Sequence, residues 1–370
     1  MIYDLAVVGL GAIGTFAVRA AATKGLTVAG FDAHHPPHAH GSTHGSTRLI
    51  RAIYSEGPYY VPLIRSAIAA WDEVNAEAGR PLYHATGAHY FAPRSHPVLE
   101  AAIATAEDGG LELVRVSDVP GIALPADWDA VFDPLGGFIE VESTLAFVQD
   151  ESSRQSGVAA FLGEEVSYAF DGELWELTRK NTASKVRAKS LAVCPGPWAA
   201  QMLPFLKDHL RLERHTLHWS ESGTSATGES QGFTPFLSHL ENGEWIYGFP
   251  ADENGLVKIA EHKFGKSCKS ISEVDRDVYP SDRKVIADFA ERFIPNIGAI
   301  TRSSVCPYTM SPDGDFIIDH LPGGSNAAFV AGLSGHGYKF APALGRIVTE
   351  LAVDGSADLD VSAFRLGRFG

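Results

Sequence analysis

The feature that most constrains the fold is a glycine pattern set between two apolar runs near the start of the chain. Ile2 to Val8 is almost continuously apolar and reads as a buried parallel strand. It runs into Gly9-Leu-Gly11-Ala-Ile-Gly14, then a helical stretch to Lys24, a capping Gly25, and a second strand, Leu26 to Phe31, that ends at Asp32. Each glycine has a physical task. Gly9 allows the tight turn, Gly11 lets a pyrophosphate approach the backbone, and Gly14 lets the helix lie close on the strand. The helix N-terminus, with Ile13 in its first turn, offers N–H groups and the positive end of a dipole to phosphates. Asp32 stands where a carboxylate accepts hydrogen bonds from a ribose. Strand, glycines, helix, strand and acid in register imply a bound dinucleotide. The acid disfavours a 2′-phosphate but does not separate NAD from FAD.

The rest of the chain does not continue as a regular nicotinamide domain. A long loop, His34 to Tyr60, is rich in His, Gly, Ser and Arg, and loops of this length in compact proteins are usually functional. An amphipathic helix is expected after Pro62, with Ile64, Ala67, Ile68, Trp71 and Val74 on one face. Short strands and a helix near Val98–Ala106 follow, then a helix from Ser143, a strand Val158–Leu162, a hairpin at Asp171-Gly172 and an apolar strand Ser190–Cys194. Beyond Leu212 the pattern is mostly strands, with a hairpin at Asn254-Gly255 and one helix expected to be capped by Ser281. The end returns to strand (Ala327–Leu333), turn (Ser334–Gly337) and helix from Pro342. At roughly 150 residues per domain, 370 residues suggest two to three domains. The alternation implies two interleaved ones, one dinucleotide-binding and one sheet-rich, as in flavoproteins.

Composition removes several function classes. Thirty Lys and Arg against 45 Asp and Glu give a net charge of −15, which argues against a nucleic-acid surface. Three cysteines, Cys194, Cys268 and Cys306, cannot build a disulfide framework, and no Cys-x-x-Cys suggests zinc. Four of the 15 histidines (His34, His35, His38, His40) crowd one loop, but Pro36-Pro37 between them argues for a structural loop, and no metal is expected. The apolar stretch from Leu5 to Val18 lacks the basic start of a leader and is broken by glycines. The expectation is a cytoplasmic enzyme with no membrane span.

Four further segments carry a resemblance. They are Gly41-Ser-Thr-His44-Gly-Ser-Thr47-Arg48-Leu-Ile-Arg51 with Tyr54, Glu56-Gly57 and Tyr60-Val-Pro-Leu63; Tyr247-Gly-Phe-Pro250 with Lys258; Val305-Cys306-Pro-Tyr308-Thr with Asp315-Phe-Ile-Ile-Asp319; and Gly332-Leu-Ser-Gly-His336-Gly-Tyr-Lys339-Phe. On these the chain resembles, over nearly its whole length, the flavoprotein family of monomeric sarcosine oxidase and N-methyl-L-tryptophan oxidase, and is somewhat nearer the second branch. The resemblance implies an α/β (α+β) fold of the glutathione-reductase type. Its Rossmann-like FAD-binding domain would comprise 1–82, 142–211 and 315–370, interleaved with a substrate domain of 83–141 and 212–314.

The resemblance also implies roles. Cys306 matches the cysteine that links to the flavin 8α-methyl, although Pro307 departs from the family pattern next to it; by itself a lone cysteine is more often a small buried hydrophobe. Lys258 shares a strand face with Ala260 and His262, and would lie over the flavin and activate oxygen, with His262 as an active-site histidine. Arg51 and Lys339 would grip a substrate carboxylate, Arg48 would lie at the flavin edge, and Tyr247 and Tyr308 would wall the pocket. Gly335, Gly337 and Lys339 just before a helix would place positive potential at the flavin N1–C2=O locus. His44 and Thr47 follow the flavin-contact loop, Val166 the adenine side, and Gly196, between two unusual prolines, a second flavin-side turn. Surface cations, packed aromatics and satisfied histidines are the ordinary alternatives for these residue types. Together they imply a monomeric FAD-dependent oxidase of a small-molecule N-methyl amino acid, with O2 as acceptor and the demethylated amino acid, formaldehyde and H2O2 as products. Oxidation of a cyclic secondary amino acid, an NAD-linked dehydrogenase and a non-catalytic flavin-binding protein are the alternatives.

Overall fold

The computed structural model describes every residue except Phe264 and Ser325. Strand β1 (Ile2–Val8) is the centre of the first sheet. It is flanked in parallel by β2 (Val28–Asp32) and by Lys185–Val193. Val158–Leu162 extends the sheet beyond β2, and Ala327–Ala331 adds on the far side, all parallel. Leu5, Ala6 and Val7 are fully buried from both faces, which is why the run carries no alternation. A hairpin, Val166–Phe170 with Trp175–Arg179, and the antiparallel Ile317–His320 complete eight strands.

Helix α1 (Ala12–Thr23) follows β1 with only three residues between them. Gly9 has φ +89 and its N–H bonds to Phe31 O at 2.8 Å, tying the turn to β2. A Cβ on Gly14 would sit 1.7 Å from Gly9 O, so only glycine lets the helix start this near the turn.

The second sheet has nine strands, and its long members, Arg211–Glu221 and Ile300–Met310, pair antiparallel. Leu256–Glu261 lies on the other side of Arg211–Glu221, followed by Trp245–Gly248 and Phe236–His239. A third, three-stranded sheet joins Thr47–Ile50 and Tyr83–His84 to Gly137–Glu140. It therefore draws on segments that the sequence assigned to different domains. The first sheet takes its strands from 2–32, 158–193 and 317–331, and the second from 88–133 and 211–310.

Two local expectations need correction. The helix expected after Pro62 begins at Tyr60, because Pro62 is accepted in a first turn where its missing N–H costs nothing. The helix expected to be capped by Ser281 is Pro280–Phe293, with Pro280 at its first position and Tyr279 as its cap residue. There Asp282 Oδ2 accepts the Tyr279 N–H at 2.8 Å, so a carboxylate reaching back to the cap residue, the reciprocal half of a capping box, ties down the helix start in place of a serine hydroxyl. Among the described residues no helix is long and apolar enough to cross a membrane.

Candidate active site

The carboxyl ends of the parallel strands open into one elongated cavity of about 730 Å³. Val8, Asp32, Cys194 and Ala331, each at or just past the end of its strand, form its floor. This is where open α/β sheets bind ligands, and the volume lies within the roughly 300–1,000 Å³ typical of cofactor pockets. Gly9, Gly11 and Ile13 line it, so the N-terminus of α1, with Gly11 as its cap residue, abuts the cavity; the Ala12 N–H donates to Thr43 Oγ1 at 3.2 Å. Asp32 lines it too. Its carboxylate accepts the Leu10 and His34 N–H groups at 2.8 Å each and lies 3.6 Å from His38 Nε2. Burial pushes its acidity down in strength, but these contacts outweigh burial and leave its pKa below the usual value. Val166 and Gly196 line the same cavity, as do Gly335 and Gly337.

At its other end the cavity reaches Arg48, Cys306 and Tyr308. Arg48 donates to Thr47 O at 2.9 Å and Ser42 O at 2.8 Å, and its Nη2 lies 3.7 Å from Cys306 Sγ. Burial raises the Cys306 thiol pKa, and the neighbouring guanidinium opposes that. A Cβ on Gly335 would fall 2.3 Å from the Tyr308 ring, so the phenol is pressed onto bare backbone.

A second, small cavity of about 50 Å³ adjoins the first. The two share Arg48, Tyr308, Gly335 and Tyr338. Arg51, Lys339, Tyr247 and His262 also line the second. Tyr247 and Tyr308 approach hydroxyl to hydroxyl at 3.4 Å. Burial holds the pKa of both phenols above the ordinary tyrosine range, so both are neutral donors. Lys339 is buried, donates to His336 O at 2.9 Å, and has its pKa driven well down, first by burial and then by Arg51. Burial likewise keeps His262 neutral.

Arg51 is not free. Glu56 clasps its guanidinium through both oxygens, Ile53 O accepts from Nη1 at 3.1 Å, and the Tyr54 ring lies 3.9 Å away. Burial would raise the Glu56 carboxyl, but the Arg51 charge holds it well below the usual carboxylate range.

Four of the expected site residues line neither cavity. Gly14 lies behind the turn. Lys258 is 2% exposed, and its ammonium donates to Gly45 O and Thr47 O at 2.6 Å each. His44 and Thr47 belong to the loop in front of it. His44 Nε2 and Thr47 Oγ1 are buried without a partner, and burial brings His44 down to about 3. Glu56 and Glu142 were given no role in the sequence reading. Glu56 carries a local signal, five residues after Arg51 and beside Gly57; Glu142 carries none, since it meets the loop only through tertiary folding.

The lining fits a flavin dinucleotide: a helix N-terminus, an acid at the end of β2 and close-approach glycines along one cavity. Comparison with known proteins points the same way. Over 381 residues, covering 100% of both chains, the protein is 34% identical to N-methyl-L-tryptophan oxidase of Escherichia coli (strain K12), with the same figures for that of Shigella flexneri. Among solved structures it is similar to NikD, an amino acid oxidase essential for nikkomycin biosynthesis, with a TM-score of 0.85, 20% identity and coverage of 98% and 97% of the two chains. It is also similar to glycine oxidase from Geobacillus kaustophilus, with a TM-score of 0.80, 17% identity and 98% of each chain covered. At those identities the two structures speak to the fold alone. Residues 4–351 match the family model for FAD dependent oxidoreductases, and the chain belongs to that family.

Proposed function

We propose that this chain oxidises an N-methyl or other secondary amino acid, carries its FAD on Cys306, and reduces O2 to H2O2, releasing formaldehyde from N-methyl substrates. The observation that carries this reading is the junction of the two cavities. A long cavity suited to FAD ends at Cys306 and Tyr308, and a small one beyond it holds two buried cations, Arg51 and Lys339, each 4% exposed. Arg51 is already paired by Glu56, but Lys339 donates to the His336 carbonyl and, among the described residues, has no carboxylate of its own, so the pocket favours an anionic group such as a substrate carboxylate. A carboxylate there would restore the charge that burial strips from Lys339.

When bound, FAD supplies an acceptor for the hydrogen and electron pair of the C–H bond beside the substrate nitrogen, and a donor of two electrons to O2. The protein's own part is binding and charge. Arg48 and Arg51, whose pKa values stay raised, put positive charge at the junction, which disfavours an ammonium and delivers the amine with its lone pair available. Tyr247 and Tyr308 close the pocket walls and exclude water. Lys258, held by two carbonyls, would face the negative charge that develops as O2 is reduced. No side chain needs to act as a general base once the amine is neutral.

Two measurements test this. A panel of N-methyl, cyclic secondary and primary amino acids, read by peroxide release, should give turnover with the first or second class; bleaching by none under anaerobic conditions would refute the oxidase reading. Acid precipitation followed by mass spectrometry should leave a yellow pellet and a flavin-sized mass on the Cys306 peptide. A colourless pellet would refute the thioether alone.

A further inference from the structure

The Gly45–Ser46 peptide is gripped from both ends. Its carbonyl accepts the Lys258 ammonium at 2.6 Å, and its N–H donates to Glu142, at 3.0 Å to Oε2 and 3.3 Å to Oε1. Glu142 Oε1 also accepts the Gly45 N–H at 2.6 Å. One peptide dipole therefore lies between a buried ammonium and a carboxylate, an arrangement in which each bond polarises the next.

The loop is held against its own preference. Ser46 has φ +67, a left-handed conformation that costs a non-glycine residue about 1–2 kcal/mol. Such a conformation persists only where the surroundings impose it. Here they do: Ser46 O accepts the Val141 N–H at 2.7 Å, next to Glu142 at the start of the helix Val141–Ser153, and Ser46 Oγ accepts from Arg302 at 3.1 Å. Arg302 also lies 3.9 Å from the centre of the Trp219 ring, and Lys258 lies 5.7 Å from the same ring.

We infer that Glu142 is a positioning residue for oxygen reduction: acting through the Gly45–Ser46 peptide, it fixes the Lys258 ammonium and keeps it charged. The inference rests on the reading that Lys258 faces O2. The groups around Lys258 leave Glu142 this part. Burial acts most strongly against the ammonium, and Arg48, from Thr47–Ile50, and Arg302, from Ile300–Met310, push the same way; His44 is neutral; burial keeps Cys306 a thiol. Glu142 is the carboxylate among the groups that act on Lys258.

The experiment is stopped-flow reoxidation of the substrate-reduced holoenzyme by O2 between pH 6 and 10, beside anaerobic reduction by substrate, in the parent, Glu142→Gln and Lys258→Met. In Glu142→Gln the alkaline fall of the reoxidation rate should move down by about one pH unit, with the rate at pH 8 lowered about tenfold and anaerobic reduction within about threefold of the parent. Lys258→Met should reoxidise slowly at every pH. If Lys258→Met reoxidises like the parent, the oxygen reading itself falls. If Lys258→Met is slow but the alkaline limb of Glu142→Gln stays in place, a merely structural role for Glu142 remains and the inference is overturned. Should Glu142→Gln not accumulate as holoprotein, Glu142→Asp decides: its limb should move the same way by about half a unit, and an unmoved limb overturns the inference.

Discussion

Replacing Glu56 with glutamine separates two effects that the carboxylate has on Arg51. It stabilises a buried guanidinium, and it occupies the donors that a substrate carboxylate would need. Breaking a buried ion pair by removing one partner costs roughly 3–5 kcal/mol. The cost here is smaller. The Glu56 side chain is 19% exposed, the glutamine oxygen still accepts one bond, and Arg51 keeps Ile53 O at 3.1 Å and the Tyr54 ring at 3.9 Å. We expect a loss of about 2 kcal/mol, which in a chain of this size lowers Tm by about 2–3 °C. Carboxylate binding should move the other way. With the competing charge gone, acetate, which is not oxidised, should bind about tenfold tighter, or about 1.4 kcal/mol. The sign of the pH dependence follows from the depressed Glu56 pKa. Its stabilisation is complete above the ordinary glutamate value and is lost as pH falls through the lowered folded value, so a comparison at pH 8 measures the full effect. The assay is anaerobic titration of the oxidised holoenzyme with acetate, followed by flavin absorbance, with thermal unfolding alongside. Acetate binding tenfold weaker in Glu56→Gln would show that Glu56 holds Arg51 in its binding pose, and the competition argument would be wrong.

Other outcomes follow from the same geometry. Gly14→Ala puts a Cβ 1.7 Å from Gly9 O and should yield no yellow protein, whereas Gly11→Ala meets only Thr43 Oγ1 at 3.3 Å and should fold, yet hold flavin more weakly because its Cβ enters the space the pyrophosphate needs; the ratio of absorbance at about 450 nm to that at 280 nm reads both. Cys306→Ser should fold yellow yet release its flavin into acid supernatant, and a pellet that stays yellow would move the linkage elsewhere. His44, His239 and His336, all buried, are each brought down to about 3, so the unfolded chain takes up protons first as pH drops below the ordinary histidine value. Stability should therefore fall from about pH 6.5 toward pH 3, by up to about 1.4 kcal/mol per unit for each histidine, and denaturant midpoints flat over that range would contradict this. Because these histidines do not titrate near neutrality, log kcat/KM should rise with unit slope as the substrate ammonium loses its proton; a profile flat down to pH 5 would count against the neutral-amine requirement.

Much of this was legible before folding because the signals are local. Gly9, Gly11, Gly14 and Asp32 act within one strand–turn–helix–strand unit, where φ, close approach and periodicity belong to neighbouring residues. The strand Val158–Leu162 was readable for the same reason. The helix start at Tyr279 was not, because both a serine and a proline–aspartate pair can open a helix, and which residue bonds back depends on the geometry of the turn. Lys258 illustrates a finer limit. Alternation on Leu256–Glu261 placed it inward, but the two carbonyls that hold it come from residues more than 200 positions away.

The sequence alone determined the strand, glycine turn, helix and strand that open the chain, and with them the expectation of a dinucleotide at the first turn of the first helix, since that unit needs no partner beyond itself. Tertiary structure decided how the charges of the site are partnered. Glu56 on Arg51 follows from a loop folding back, and Glu142 behind the Gly45–Ser46 peptide that Lys258 holds from a helix start meeting a loop nearly 100 residues earlier. Buried charge is stable only when its partners arrive from every side, and those partners are set by how the sheets pack, not by the order of residues along the chain.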